Sequence, residues 1–359
     1  MTQEQLFQIA NLFATEGEIL EVKPLGEGFI NDTFVMKTAG EAPNYILQRK
    51  NHIVFPDVPA MMDNIKAVTE HIKGKVADPM RETLTVIPAK DGKLYAEVDG
   101  NFWAVCLFIP STSSFDRADS PELAYQGGVG IGRFQSLLAD FTQPLHETIK
   151  GFHNIRHRFT QWDETIAADP VGRVKELTEE IGWIEARREE MMNFWGLVEN
   201  GTIPTHVTHN DTKISNILFD KESGKVLCAI DLDTVMSSTS LNDFGDAIRS
   251  YTNTGAEDDP NLDNVSMSID MFRAYAQGYL SEQKTLCDSE LEWLAFSARY
   301  ITYEQVLRFL MDYIDGDKYY KTTYADHNLV RTHAQYKLLQ SMEAQYDQMC
   351  AIIREEAGK

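Results

Sequence analysis

The sequence predicts an α+β fold built in two lobes: a β-rich N-terminal lobe carrying one helix, and a larger, mainly α-helical C-terminal lobe. Three observations carry this. Before residue 110, short runs rich in β-branched and aromatic residues are punctuated by turn dipeptides. After Pro110 the pattern changes to long apolar repeats at helical spacing. A chain of 359 residues is long enough for two such units. The expected division is 1–110 and 111–359.

Thr2 and Gln5 have the spacing of a capping box that opens a short first helix. Glu18–Val22, Phe29–Lys37 and Tyr45–Arg49 read as strands. Met61, Ile65, Val68 and Ile72 recur at helical spacing, so Pro59–Lys73 reads as one amphipathic helix. Asp91-Gly92 separates Leu84–Ile87 from Leu94–Val98, and Asp99-Gly100 leads into Phe102–Ile109, which suggests two hairpins. Three strands, a helix and three strands then make an antiparallel sheet with the helix packed on it. Ser111–Ser114 is a polar connector. Ser120 and Pro121 open a helix reaching Phe141, as N-cap and first helical residue. A second helical pattern carries Val174, Leu177, Ile181 and Ile184 and continues to Val198. Strands follow at His206–Thr208, Ile217–Phe219 and Val226–Ile230, the last two flanking the turn Asp220–Gly224. Helices resume after Asn264, and Leu338, Met342, Tyr346, Met349 and Ile353 mark the final one.

Composition narrows the function. A formal charge of −22 opposes nucleic acid and anionic membrane surfaces. The four cysteines are widely spaced with no CxxC, so neither a zinc nor a redox site is indicated, and Cys106 and Cys228 read as core thiols. The N-terminus lacks a basic start followed by an apolar stretch, and the apolar run Phe102–Pro110 is too short to span a bilayer. A cytoplasmic protein is the resulting expectation.

The chemistry concentrates in His209-Asn210-Asp211-Thr212-Lys213-Ile214-Ser215-Asn216 and Ile230-Asp231-Leu232-Asp233. An acid, an amide five positions later and a second acid at the end of an apolar strand are what a phosphoryl-transfer site needs: a carboxylate for the acceptor hydroxyl, and hard oxygen donors for magnesium on nucleotide phosphates. The plainer reading makes Asp211 a turn residue and Asn216 a loop cap. His209 and Lys213 sharpen the first reading, since the histidine can hold the loop backbone and the lysine can reach a transferring phosphoryl group. Asp231 ends a strand buried on both faces, where an acid is costly unless paired or bound to a cation. Asp233 fits a second ligand, a substrate contact or a structural acid. Gly26-Glu27-Gly28 joins two strands, either as an ordinary hairpin turn or as a turn whose amides approach phosphates. Asp243-Phe244-Gly245 is not read as the metal site, because no apolar strand places it beside the loop; Asp243 or Asp246 is expected to cap or brace the following helix.

The order of these features resembles the aminoglycoside phosphotransferase/choline kinase-like superfamily over essentially the whole chain. Within it, Tyr45-Ile46-Leu47-Gln48, Val207–Lys213, Ile230–Thr234, Asp243–Asp246, Arg308-Phe309-Leu310 and His327–Thr332 are similar to segments of the N-acetylhexosamine 1-kinase family. The resemblance implies a protein-kinase-like fold and an ATP- and Mg2+-dependent enzyme, a monomer or weak homodimer, acting on a small sugar. By that likeness Asp211 is the catalytic base, Asn216 and Asp231 bind magnesium, and Asp233 and Arg308 face the sugar, with Tyr319 or Tyr320 adding a contact. Gly26 and Gly28 would approach the phosphates, and the backbone around Phe108–Ile109 would hold adenine. The chain departs from the wider pattern twice. Gln48 stands where a strand lysine or arginine pairs with ATP phosphates, leaving Arg49 or Lys50 to supply charge; Asn64 or Glu70 would occupy the side of the matching helix acid. Phe29 stands where that family carries a histidine. Other small-alcohol kinases, for choline or an aminoglycoside, and a nucleotide-binding pseudokinase remain alternatives.

Overall fold

A computed structural model describes residues 1–26 and 30–358. Its strands are β1 (Ile19–Pro24), β2 (Asp32–Thr38), β3 (Tyr45–Lys50), β4 (Val86–Ile87), β5 (Ala96–Val98), β6 (Asn101–Leu107), β7 (Thr112–Ser113), β8 (His206–Thr208), β9 (Ile217–Asp220), β10 (Val226–Ala229) and β11 (Met236–Ser238). Its helices are α1 (Gln3–Ala10), α2 (Val58–Lys73), α3 (Pro121–Leu137), α4 (Ile155–Ala168), α5 (Thr178–Glu185), α6 (Arg188–Glu199), α7 (Ser240–Tyr251), α8 (Ile269–Glu282), α9 (Asp288–Ile314), α10 (His327–Ala344) and α11 (Tyr346–Glu356). The chain forms two compact units. The first comprises Met1–Ser113, Asp140–Lys150 and Leu218–Ser237; the second comprises Ser114–Ala139, Gly151–Ile217 and Ser238–Lys359. The main segment of the first unit ends at Ser113, and the segments Asp140–Lys150 and Leu218–Ser237 return to it later in the chain. No helix among the described residues is long and apolar enough to cross a membrane.

In the first unit, six antiparallel strands form one sheet in the order β1-β2-β3-β6-β4, with β5 also on β6. Alternation along β3 buries Tyr45 and Leu47 on one face. There they share a core with Leu6, Ile9 and Phe13 of the N-terminal segment and with Val22, Met36, Trp103 and Val105. The opposite face of β3 carries Gln48 and Lys50. The Asp99-Gly100 hairpin forms as expected: Val98 pairs with Asn101, and both turn residues have positive φ (51° and 72°), as a type I′ turn demands. The Asp91-Gly92 turn does not make a hairpin. β4 and β5 both pair with β6 instead, because a central strand can satisfy the ladders of two short ones. Separately, β7 pairs with β9, and β9 with β10.

In the second unit, α3 crosses α8 at backbone contact. A Cβ at Gly128 would lie 2.2 Å from the Tyr275 carbonyl oxygen, and one at Gly132 would lie 2.5 Å from that of Tyr279. The glycines that weaken α3 as an isolated helix are therefore what permits the crossing. Gly245 does the same for α7 against α9, where an added Cβ would meet the Ser297 carbonyl at 2.3 Å. The helical pattern read through Val174–Val198 is broken into a 3-10 turn, α5 and α6, and the final pattern into α10 and α11.

Candidate active site

The loop 209–216 runs from β8 to β9 and ends in a 3-10 turn, Ile214–Asn216. It is fastened from beneath by α7. The Asp243 carboxylate accepts the amides of His209 (2.9 Å) and Asn210 (2.7 Å), and also Gln135 Nε2 (2.9 Å). Asp246 Oδ2 accepts the Thr212 amide (2.8 Å), and the Thr212 hydroxyl donates to the Asp243 carbonyl (2.7 Å). This corrects the sequence reading of Asp243: it lies in the first turn of α7 and braces the loop itself. Burial pushes the Asp243 carboxyl above its ordinary pKa, although His209 and its other donors favour the charge. Asn210 takes a left-handed conformation (φ 65°), which asparagine tolerates better than most residues and which turns the chain so that Asp211 follows.

Asp211 Oδ2 accepts Lys213 Nζ at 2.9 Å and Asn216 Nδ2 at 3.0 Å. Burial alone would raise this carboxyl, but Lys213 and then His209 and Asn216 more than offset it, so its pKa sits below the usual range and the group is charged at neutral pH. The Asp211 amide donates to His209 Nδ1 (3.3 Å), so the histidine does hold the loop backbone. Asn216 Nδ2 also donates to the Asp211 carbonyl (2.8 Å), which commits the nitrogen end of the amide and turns Oδ1 away as an oxygen donor.

Within the first unit a second cluster forms. Lys50, at the end of β3, is 3% exposed and its Nζ lies 2.7 Å from Asp233 Oδ1 and 2.7 Å from Gln48 Oε1. Asn31 Nδ2 donates to the other Asp233 oxygen at 2.7 Å. Burial works against the lysine charge, but Asp233 and Asp231 hold its pKa above the ordinary value. Asp231 opens the 3-10 turn Leu232–Thr234 from a left-handed conformation (φ 60°), a strained placement for a non-glycine residue. Arg49 points to the other face and pairs with Asp32. Asn64 of α2 bonds the Val235 and His146 carbonyls (3.0 and 2.9 Å), and Glu70 bonds Lys73. Thus the buried cation of this strand is Lys50, two residues beyond Gln48, and its counter-charge comes from Asp233. Cys106 is partly buried on this face, and burial raises its thiol to about 11, so it stays protonated and inert. Gly26 has φ 68° and open space around it; Glu27, Gly28 and Phe29 lie outside the described residues. The Phe108 amide donates to the Asn44 carbonyl (2.9 Å), and the Ile109 carbonyl accepts from Thr112 (2.9 Å).

A third cluster lies in the second unit. The Arg308 guanidinium of α9 sits 5.6–5.7 Å from the ring centres of Phe152, Tyr319 and Tyr320. Among the described residues no carboxylate lies within salt-bridge distance of it, although Glu304 acts on its charge; its hydrogen bond runs to Gln305 (3.4 Å). The Asp312 carboxylate accepts the successive amides of Lys318, Tyr319 and Tyr320 (3.0, 2.8 and 3.0 Å) and so fixes the segment that carries the rings.

This α+β architecture matches the protein-kinase-like fold of aminoglycoside phosphotransferases and choline kinases. The chain is similar to a microcompartment-associated aminopropanol kinase (14% identity, 97% of this chain and 98% of that one, TM-score 0.66). It is similar also to a choline kinase from Cryptosporidium parvum Iowa II (14%, 100% of both chains, TM-score 0.59) and to a spectinomycin phosphotransferase solved with ADP and spectinomycin (13%, 99% and 98%, TM-score 0.55). Residues 21–280 match the phosphotransferase enzyme family, and the chain belongs to that family.

Sequence reasoning named Asp211, Lys213 and Asn216, which share hydrogen bonds, and Gln48 and Asp233, which share Lys50. It missed Asn31 and the role of Asp243 with Asp246. The second pair had a usable signal: acids three apart on a helix face the same way.

Proposed function

We propose that the protein is an ATP- and Mg2+-dependent kinase that phosphorylates the anomeric 1-hydroxyl of an N-acetylhexosamine (N-acetylglucosamine or N-acetylgalactosamine). The observation that carries the kinase reading is Asp211: a charged carboxylate, only partly covered, on a loop whose amides are tied down by two helix acids. An acceptor hydroxyl donates to this carboxylate and is turned toward the γ-phosphate. As the new O–P bond forms, the bond from the γ-phosphorus to the β,γ-bridging oxygen breaks, ADP leaves with that oxygen, and the acceptor's proton passes to Asp211. Positioning supplies most of the rate in such transfers. Lys213 stabilises negative charge on the transferred group, and Lys50 supplies the strand cation that Gln48 cannot.

Asn216 Oδ1 and the Asp231 carboxylate are hard oxygens of the kind magnesium takes and would hold it, and the commitment of Asn216 Nδ2 to Asp211 fits that role. Bound there, magnesium would neutralise charge on the phosphate oxygens. With the Phe108 amide and the Ile109 carbonyl already bonded, the Phe108 carbonyl and the Ile109 amide are the groups for adenine.

Arg308 favours a sugar over choline. A quaternary ammonium needs open aromatic faces, and here the three rings already surround a guanidinium. Sugar hydroxyls and an N-acetyl oxygen accept from that guanidinium, and Tyr319, 56% exposed, offers a stacking face. Asp233 reaches the sugar only by sharing its oxygens with Lys50 and Asn31.

Phosphorus NMR of the product from N-acetylglucosamine and ATP·Mg2+, with choline and an aminoglycoside as competing acceptors, tests the reading. A sugar 1-phosphate is the expected product. Asp211→Ala and Asp231→Ala should each lose most of kcat with an unchanged circular dichroism spectrum; near-normal turnover in either removes the assignment. ATP binding with no ADP release for any acceptor would identify a pseudokinase.

A further inference from the structure

His153 is a buried residue that none of the chemistry above uses. It follows Phe152 in the loop before α4 and takes a left-handed conformation (φ 56°), uncommon for a histidine. Its ring joins two elements. Nδ1 lies 2.6 Å from Glu304 Oε2 of α9, and Nε2 lies 3.2 Å from the carbonyl oxygen of Asn210. The backbone is pinned as well, since the Tyr300 hydroxyl donates to the His153 carbonyl at 2.7 Å.

Both ring partners are acceptors only. A neutral imidazole has one N–H, so it can satisfy the carboxylate or the carbonyl, and its other nitrogen would then point a lone pair at the remaining oxygen. The imidazolium satisfies both.

We propose that His153 is a positioning residue for the Asp211 loop: as an imidazolium it is a strut from Glu304 to the Asn210 carbonyl, and it fixes the peptide that delivers the catalytic base. The proposal rests on Asp211 being that base. The charged groups acting on the ring are Glu304 of α9 and Asp246 of α7, and behind Glu304 stand Arg158 of α4 and Arg308 of α9. Burial disfavours the ring's charge, but Glu304, then Asp246 and the Asn210 carbonyl, hold it protonated above the ordinary histidine range. Glu304 is in turn held charged, down to about 2, by His153 and then Arg158 and Arg308 against its own burial. The strut therefore weakens on the alkaline side, when the ring loses its second proton and Nε2 no longer donates.

The test compares His153→Leu, which removes both bonds, with His153→Gln, whose Nε2 can donate to the Asn210 carbonyl at any pH. In His153→Leu, kcat should fall about 10–100-fold with the KM for ATP within twofold, and hydrogen exchange should quicken at the amides of 210–213. His153→Gln should stay within about threefold of wild type and lose the alkaline limb of the kcat profile. The idea is overturned by wild-type kcat in His153→Leu, by equal losses in both variants, or by a pH profile unchanged in His153→Gln. Should His153→Leu fail to fold, His153→Gln decides on kcat and pH profile. If wild type phosphorylates no N-acetylhexosamine, the functional reading fails, while the exchange rates at 210–213 still report on the strut.

Discussion

Removing the Lys50 charge should destabilise the first unit more than any surface change, and removing its partner as well should restore part of the loss. The pair is almost fully enclosed, with the two side chains 3% and 5% exposed and 2.7 Å between charged atoms. Lys50→Met would leave the Asp233 carboxylate buried with, among the described residues, only the Asn31 amide as a strong donor. Breaking a buried pair by deleting one member costs about 3–5 kcal/mol, because the surviving charge keeps its desolvation penalty. That is a large share of the roughly 5–15 kcal/mol that holds a domain folded. Lys50→Met/Asp233→Asn removes both charges, and the amide can still accept from Asn31, so the double variant should be more stable than the sum of the single effects by about 2 kcal/mol or more. Urea unfolding, read by hydrogen exchange on the β3 and β6 amides, measures each corner of the cycle. A cost below about 1 kcal/mol for Lys50→Met, or strict additivity, would refute the argument. The pH dependence has a definite sign. The folded pKa of Lys50 is raised, so its contribution is whole below the ordinary lysine value of 10.5 and disappears as pH climbs through the raised one.

Three further outcomes are expected. Asp243→Ala strands the buried amides of His209 and Asn210, at about 1–3 kcal/mol for each unsatisfied group, and should lower both thermal stability and kcat; a stable, fully active variant would show that the loop holds itself. Gly132→Ala should destabilise by about 1–3 kcal/mol through overpacking against the Tyr279 carbonyl, whereas Gly196→Ala, in α6 with nothing near its Cβ position, should stabilise by about 0.5–1 kcal/mol; melting temperatures of the same sign would contradict the packing account. Glu304 has its carboxyl lowered from 4.5 to about 2, so its contribution is present above 4.5 and lost as pH falls toward 2; acid unfolding followed by circular dichroism should be flatter in that window for Glu304→Gln.

Local chemistry was readable and distant pairing was not. The strands β1, β2, β3 and β6 announce themselves by β-branched and aromatic runs, the Asp99-Gly100 turn by its residues, and α3 by Ser120 and Pro121. The loop 209–216 stands out because an acid, a lysine and an amide at short spacing meet one another within a single turn. What escaped was decided elsewhere in the chain. A 3.6-residue rhythm runs unbroken across Gln345, so the end of α10 there is invisible in the pattern. Helix α4, Ile155–Ala168, is polar and weakly amphipathic and gave no periodic signal. The attachment of β4 and β5 to β6 is a choice between partners that each could accept. Gln48 was aligned with a strand cation, whereas the buried cation of this strand is Lys50, and only the position of Asp233 reveals it.

Lys50 and Asp233 are 183 residues apart. During synthesis at roughly 5–20 residues per second, a ribosome delivers the acid about 10–40 s after the lysine. From the completion of β6 until that arrival, the sheet that carries Lys50 has all its strands but holds an unneutralised ammonium at the end of β3. A nascent chain in that condition has reason to leave this strand end open to water, and to seal it only when the turn bearing the acid arrives. The order in which the polypeptide is made thereby assigns the closing of the Lys50 side of the sheet to a late step of folding.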